Sequence, residues 1–185
     1  MAVITREVIG KIPFLNTYTD KEKDILGKYS SSLFTLNTFY NANKTIVGRS
    51  AVQSSESFLL QFWNCVTSHM VQWQQLEHKE ITKVDLRESY IATQSIVIQS
   101  FGRIGNYLFH HNVQNLEKYL AKLEHINWLR SSPQWYLRAI NPNGRIITNK
   151  KAAMLVANAV KKEIGIELST EEMTAESKLS KTLSE

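Results

Sequence analysis

The chain has 185 residues, 22 Lys+Arg against 17 Asp+Glu, a formal net charge of +5, one cysteine, 7 Gly and 3 Pro. That length suits one core-bearing domain, and the single Cys65 excludes a disulfide scaffold and fits the reducing cytoplasm. No run approaches the roughly 20 apolar residues of a membrane span, nothing after the first Met-Ala reads as a signal peptide, and the Leu, Ile, Lys, Glu and Ala content favours helices.

Residues 1–18 contain Pro13 and scattered apolar residues without a clear period, and read as an extended lead-in. Thr19 and Asp20 start a short helix, with Asp20, Glu22 and Asp24 near its positive end. Leu33, Phe34 and Leu36, then Phe39, Tyr40, Ile46 and Val47, follow at helical spacing, with Gly48 where a C-terminal cap belongs. Ser54 and Ser55 cap the next helix, whose stripe of Phe58, Leu59, Phe62, Trp63, Val66, Met70 and Trp73 reads as core rather than a cofactor box. Thr82-Lys83-Val84-Asp85 resembles a capping box with Asp in place of Glu, and opens the longest helical candidate, running to Leu108. Inside it Gly102 and Gly105 would each cost roughly 1 kcal/mol relative to Ala, which points to a close helix–helix approach or a bend.

Val113 to Leu123 read as an amphipathic helix, followed by a break at Ser131, Ser132 and Pro133. Residues 136–147 read as the one hairpin, turning at Asn141-Pro142-Asn143-Gly144 as a type I turn, so that Ile140 pairs with Arg145. Thr148 caps a helix that ends at Gly165, and Ser169-Thr170-Glu171-Glu172 forms a capping box for a short last helix. The expected architecture is mainly α: a compact multi-helix bundle with one short β-hairpin near residues 136–147. It divides into a lead-in (1–18), a single helical domain (19–172) and a polar, disordered tail (173–185).

Charge is unevenly spread. Residues 1–102 carry ten basic and nine acidic side chains. Residues 103–162 carry ten basic side chains against Glu117 and Glu124 alone, and residues 163–185 carry Lys178 and Lys181 against six glutamates. A stretch this basic attracts polyanions, although a solvated basic face on an ordinary domain has the same composition.

Enzymatic signatures are sparse. Cys65 and His69 lie four apart on one helical face, but no second ligand pair has metal spacing, and His110-His111 reads as a solvated helix end. Nothing resembles a nucleophile elbow, P-loop or dinucleotide fingerprint, so no catalytic residue, cofactor or metal is expected. The hairpin offers more. Arg138 and Arg145 would lie diagonally on one face, repelling each other unless an anion lies between them. Lys150 and Lys151 occupy the first turn of the next helix, against the macrodipole but suited to a phosphate. With Arg130 and Arg103 they form a candidate phosphate-contacting set: Arg138, Arg145, Lys150, Lys151, Arg130 and Arg103. The alternative is that these side chains simply point into water. Trp128 and Trp135 could stack on bases or anchor the core under the hairpin.

Motifs across residues 12–172 resemble the C-terminal region of the DndB family of DNA sulfur-modification (phosphorothioation) proteins, which share a "DGQHR" domain. They include Ile126 to Trp135, Arg138-Ala139, Gly144-Arg145-Ile146, Ser32-Leu33-Phe34-Thr35-Leu36, Phe62-Trp63-Asn64, Asp85 to Ile91 and Phe101 to Asn106. The resemblance implies a DNA-associated role, similar to regulators that bind DNA and repress the modification operon, with the sulfur transfer performed by other proteins. The Asp-Gly-Gln-His-Arg half is not in this chain, which is expected to be a natural short form or a C-terminal fragment. Two functions follow: a DNA-binding regulatory domain, or a helical module that dimerises or docks on another modification protein. The second draws on the Trp63–Trp73 helix, the Gly102/Gly105 pair and the acidic tail.

Overall fold

Four helix starts are set by a polar side chain that accepts a bond from a free N–H of the first turn. Thr35 accepts from Thr38, Thr82 from Asp85, Asn149 from Ala152 and Ser169 from Glu172. Asp85 and Glu172 return the bond to the cap backbone, so both expected capping boxes form. The cap expected at Thr148 falls instead on Asn149. The computed structural model describes residues 1–50 and 54–185. Its helices are α1 (Ala2–Lys11), α2 (Pro13–Tyr18), α3 (Leu36–Val47), α4 (Glu56–His69), α5 (Val71–Glu77), α6 (Lys83–Ser89), α7 (Ser95–His110), α8 (Glu117–Leu120), α9 (Lys150–Ile164) and α10 (Thr170–Ser184). The fold is mainly α, as the composition implied.

The N-terminal segment is not extended. Thr5, Val8, Ile9 and Ile12 are spaced three and four apart and fully or almost fully buried, so a short apolar stripe makes α1 helical. Ile12 then turns extended and Pro13 opens α2, the first-turn position that proline tolerates. The helix expected from Thr19 is absent. Thr19–Asp20 is β1, paired in parallel with β2 (Phe34–Thr35) in the register Thr19 to Phe34 and Asp20 to Thr35. Asp20 Oδ1 still accepts from the N–H groups of Glu22 and Lys23, at 3.0 and 2.9 Å, as a cap would. No helix follows it: the next ten residues run as bends and turns, and Ile25 and Tyr29, four apart, stay exposed instead of packing on the core.

The long candidate from Thr82 is two helices. Tyr90 bridges Leu129, Ile91 N–H donates to the Trp128 carbonyl (2.9 Å) and Arg130 N–H to that of Ser89 (2.9 Å). These long-range pairings take the backbone of residues 90–91 out of helical bonding and bury Ile91 and Ala92. The helix expected over 113–123 shortens to α8, continued as a 3₁₀ turn over Ala121–His125.

α3, α7 and α9 pack side by side at the centre. The two glycines of α7 face α3: a Cβ on Gly102 would meet the Ala42 Cα and carbonyl oxygen at 3.0 and 3.1 Å, and one on Gly105 would meet Ile46 at 2.7 Å. Close approach is therefore their use. Around this seam all four tryptophans are buried. Trp63 Nε1 donates to Asn43 Oδ1 (2.8 Å), and Asn43 Nδ2 to Thr5 Oγ1 (3.0 Å), so the buried polar atoms satisfy one another.

Residues 136–147 make the expected turn but not a hairpin ladder. Gly144 N–H donates to the Asn141 carbonyl at 2.8 Å, and Asn141 N–H to that of Arg145 at 2.8 Å. Ile140 bridges Ile146, one residue beyond the expected partner. Pairing stops there because Leu137 has a positive φ of 59° and the Ile140 N–H is taken by the Trp135 carbonyl at 3.0 Å. The tail is also ordered differently from expectation: α10 runs through residues 173–184 as a continuous helix.

Candidate nucleic-acid interface

The six basic candidates separate into two groups. Arg145, Lys150 and Lys151 are exposed, Arg145 at the foot of the 141–144 turn and both lysines in the first turn of α9, and none makes an ion pair among the described residues. Arg138, Arg103 and Arg130 are held within the protein. The expected diagonal pair of arginines does not form, because Arg138 turns towards α10.

There it meets an acidic partner that its sequence surroundings do not reveal. Arg138 Nη1 and Nη2 donate to the two oxygens of Glu176 at 2.5 and 2.6 Å, and Nη1 also to the Leu155 carbonyl at 3.0 Å. Glu176 further accepts from Lys162 (2.9 Å) and Asn158 (3.1 Å). One turn earlier on α10, Glu172 accepts from the buried Lys161 at 2.7 Å, with Arg103 Nη2 3.7 Å away. Glu172 and Glu176 are themselves only 4% and 8% exposed, so two carboxylates are buried against four cations. Burial opposes their ionisation, but Lys161 and the Ser169 N–H outweigh it at Glu172, and Arg138 and Lys162 outweigh it at Glu176, which is lowered to about 2. The acidic C-terminal segment thus neutralises one flank of the basic stretch from within.

Arg130 donates to the Arg87 carbonyl at 3.1 Å, while Arg87 itself donates to the carbonyls of Ser30 (2.5 Å) and Ser32 (2.7 Å). Both arginines tie the 30–32 loop to α6 and the 126–135 segment. Trp128 and Trp135 stack on each other at 5.4 Å and are 1% and 0% exposed, so they anchor the core and present no face to a base. His110 and His111 end α7 as expected, both exposed, with His111 stacked on Tyr107 at 3.9 Å. They border a groove of about 590 Å³ that Arg103, Lys161 and Glu172 also line.

A second polar cluster lies on α4. Cys65 and His69 share one face of its last turns, and the chain from α8 through the 3₁₀ turn brings Glu117 and Glu124 to them. Cys65 Sγ donates to Glu117 Oε2 at 3.1 Å, His69 Nε2 meets Glu117 Oε1, and His69 Nδ1 lies 2.6 Å from Glu124 Oε1. The metal-capable atoms of Cys65, His69 and Glu117 all fall within 4.8 Å of one another. Burial and the neighbouring Glu117 push the Cys65 thiol up to about 12, which makes it a poor nucleophile near neutrality. Burial opposes charge on His69, but the two glutamates overcome it and raise its pKa.

No helix among the described residues is long and apolar enough to cross a membrane. No curated protein and no solved structure matches the chain. A family model does: DndB, described as DNA-sulfur modification-associated, matches residues 1–167, which takes in every helix except α10. The match spans the α3–α7–α9 centre and all six basic candidates, and on that extent the chain belongs to the DndB family of DNA-sulfur modification-associated proteins.

Proposed function

We propose that this chain is a DNA-binding regulatory component of the sulfur-modification system, acting on the genes of that system and contacting phosphates through Arg145, Lys150 and Lys151. The observation that carries the reading is that, among the described residues, these three cations make no ion pair and cluster at the start of a 15-residue helix, while neighbouring cations are neutralised by α10. Phosphate contacts of this kind position a protein on DNA without reading sequence. Arg138, Arg103 and Arg130 would contribute field rather than direct contact in this arrangement. The test is an electrophoretic titration on promoter DNA of the modification operon, comparing wild type with Arg145→Ala/Lys150→Ala/Lys151→Ala. Wild-type affinity should fall steeply between about 50 and 200 mM salt, and the triple variant should lose affinity and lower the logarithmic salt slope by about 0.9 per lost contact. Salt-independent binding, or a triple variant that binds like wild type, overturns the reading.

The competing reading is a helical docking or dimerisation module. The features that suggested it from sequence are used internally: the tryptophans are buried, Gly102 and Gly105 seat α3, and the acidic segment pairs with Arg138 and Lys161. What supports it is the 21–33 loop, where Ile25 and Tyr29 are 86% and 90% exposed. Light scattering at tens of micromolar separates the two, since a strict monomer that binds DNA leaves no role for a dimer contact.

A further inference from the structure

We propose that Cys65, His69 and Glu117 form a binding site for a zinc-class transition-metal ion, with Glu124 holding the imidazole from behind. Three donor types meet here from two separate stretches of chain. Cys65 and His69 stand at i and i+4 on α4, which places them on one face one turn apart, and Glu117 is the first residue of α8. The glutamate bridges the other two, one oxygen towards the thiol and one towards Nε2. Each of those contacts holds a proton where a cation would sit. Around a tetrahedral zinc, ligand atoms lie roughly 3.3–3.8 Å apart given bond lengths of about 2.0–2.3 Å. The donor atoms here all lie within 4.8 Å of one another, and the two proton-sharing contacts of Glu117 are shorter than that spacing, so they must open by a few tenths of an ångström to about one ångström as the ion replaces the protons.

The surroundings fit a metal better than a chance polar contact. Residues 103–162 contain only two acidic side chains, Glu117 and Glu124, and both converge on the same histidine. Their roles differ by geometry. Glu124 accepts from Nδ1, on the far side of the ring from Glu117, which is how a carboxylate fixes the tautomer of a metal-binding imidazole. With Nδ1 keeping its proton for Glu124, Nε2 gives up to solvent the proton it shares with Glu117 and offers its lone pair to the ion, and the Cys65 thiol likewise releases its proton to solvent as the sulfur binds. One thiolate, one imidazole and one carboxylate select zinc over magnesium or calcium, which prefer oxygen shells. Glu117 is 62% exposed, so the fourth position faces solvent and would take water.

The site is tested on the intact 185-residue chain, stripped with a chelator and titrated with Co²⁺ and then Zn²⁺. The expected result is one ion per chain, a thiolate-to-cobalt charge-transfer band, displacement of cobalt by zinc and no competition from excess Mg²⁺. Cys65→Ser should remove the band, and Glu124→Gln should weaken zinc by about 10–100-fold while keeping the band. Glu163→Gln, on α9, should change nothing. Because His69→Ala could disturb packing, Glu117→Gln at the exposed ligand provides a second route, and it should weaken zinc with the helical circular dichroism unchanged. No band in the wild type, or a Cys65→Ser chain that binds zinc as tightly as wild type, overturns the proposal and leaves an ion-paired histidine.

Discussion

Glu176 accepts three hydrogen bonds from cationic groups, two from Arg138 and one from Lys162, and its protonation should be felt in stability. Its folded pKa of about 2 lies below the ordinary carboxylate value of 4.5 because Arg138 and Lys162 outweigh the burial. Between those two values the unfolded chain binds the extra proton, so stability falls as pH falls through that window and is fully present above it. Denaturant midpoints of wild type and Glu176→Gln should therefore differ most at neutral pH and converge as pH drops towards 2. A constant gap would mean that the ion pair contributes nothing. The variant is expected to cost on the order of 3 kcal/mol at neutral pH, since it leaves a largely buried guanidinium without its counter-charge.

At the scale of elements, the α3–α7 seam turns a local cost into a packing requirement. Gly102→Ala gains about 1 kcal/mol of helix propensity but drives a methyl into the Ala42 backbone, which cannot rotate away as a side chain would. Overpacking of this sort costs about 1–3 kcal/mol, so the net change should be destabilising. Gly10→Ala is the control, because a Cβ there meets nothing within 4 Å and Gly10 lies inside α1. It should raise stability by up to about 1 kcal/mol, read in the same urea titration. The two glycines three apart in an otherwise apolar stretch made this seam legible in advance. So did the Thr82 and Ser169 capping boxes, whose information is contained within four residues. The β1–β2 pair and the break at Tyr90 were not legible. Both depend on partners more than a dozen residues away, Phe34 for Thr19 and Leu129 for Tyr90, and neither leaves a mark in local periodicity.

For the whole molecule the decisive arrangement is an acidic C-terminal helix laid against a basic body. Neutralising Glu172 and Glu176 together would free Arg138, Lys161 and Lys162 without altering the exposed set at Arg145, Lys150 and Lys151. On the proposed function, Glu172→Gln/Glu176→Gln should bind DNA more tightly than wild type, with a steeper salt slope, in a titration run at a temperature where the variant is folded. Unchanged affinity would confine the interface to the 145–151 segment, and weaker binding would make α10 part of the contact surface.

Composition, capping patterns and helical stripes determined by themselves that this chain is mainly α, where α4, α6, α9 and α10 start to within a residue, and which tryptophan-bearing face enters the core. Such features are local, because a cap or an apolar stripe acts over a few residues through the helix's own period. Only the tertiary structure decided which basic residues stay free and which are spent. Arg138 and Arg145 are both cations seven residues apart, yet one is clamped by Glu176 from 38 residues away and the other is exposed. Long-range pairing of charge depends on how α9 and α10 fold back on each other, and the same holds for Glu117 and Glu124 reaching His69 from about fifty residues on. A pairwise electrostatic contact has no periodicity for a sequence to display.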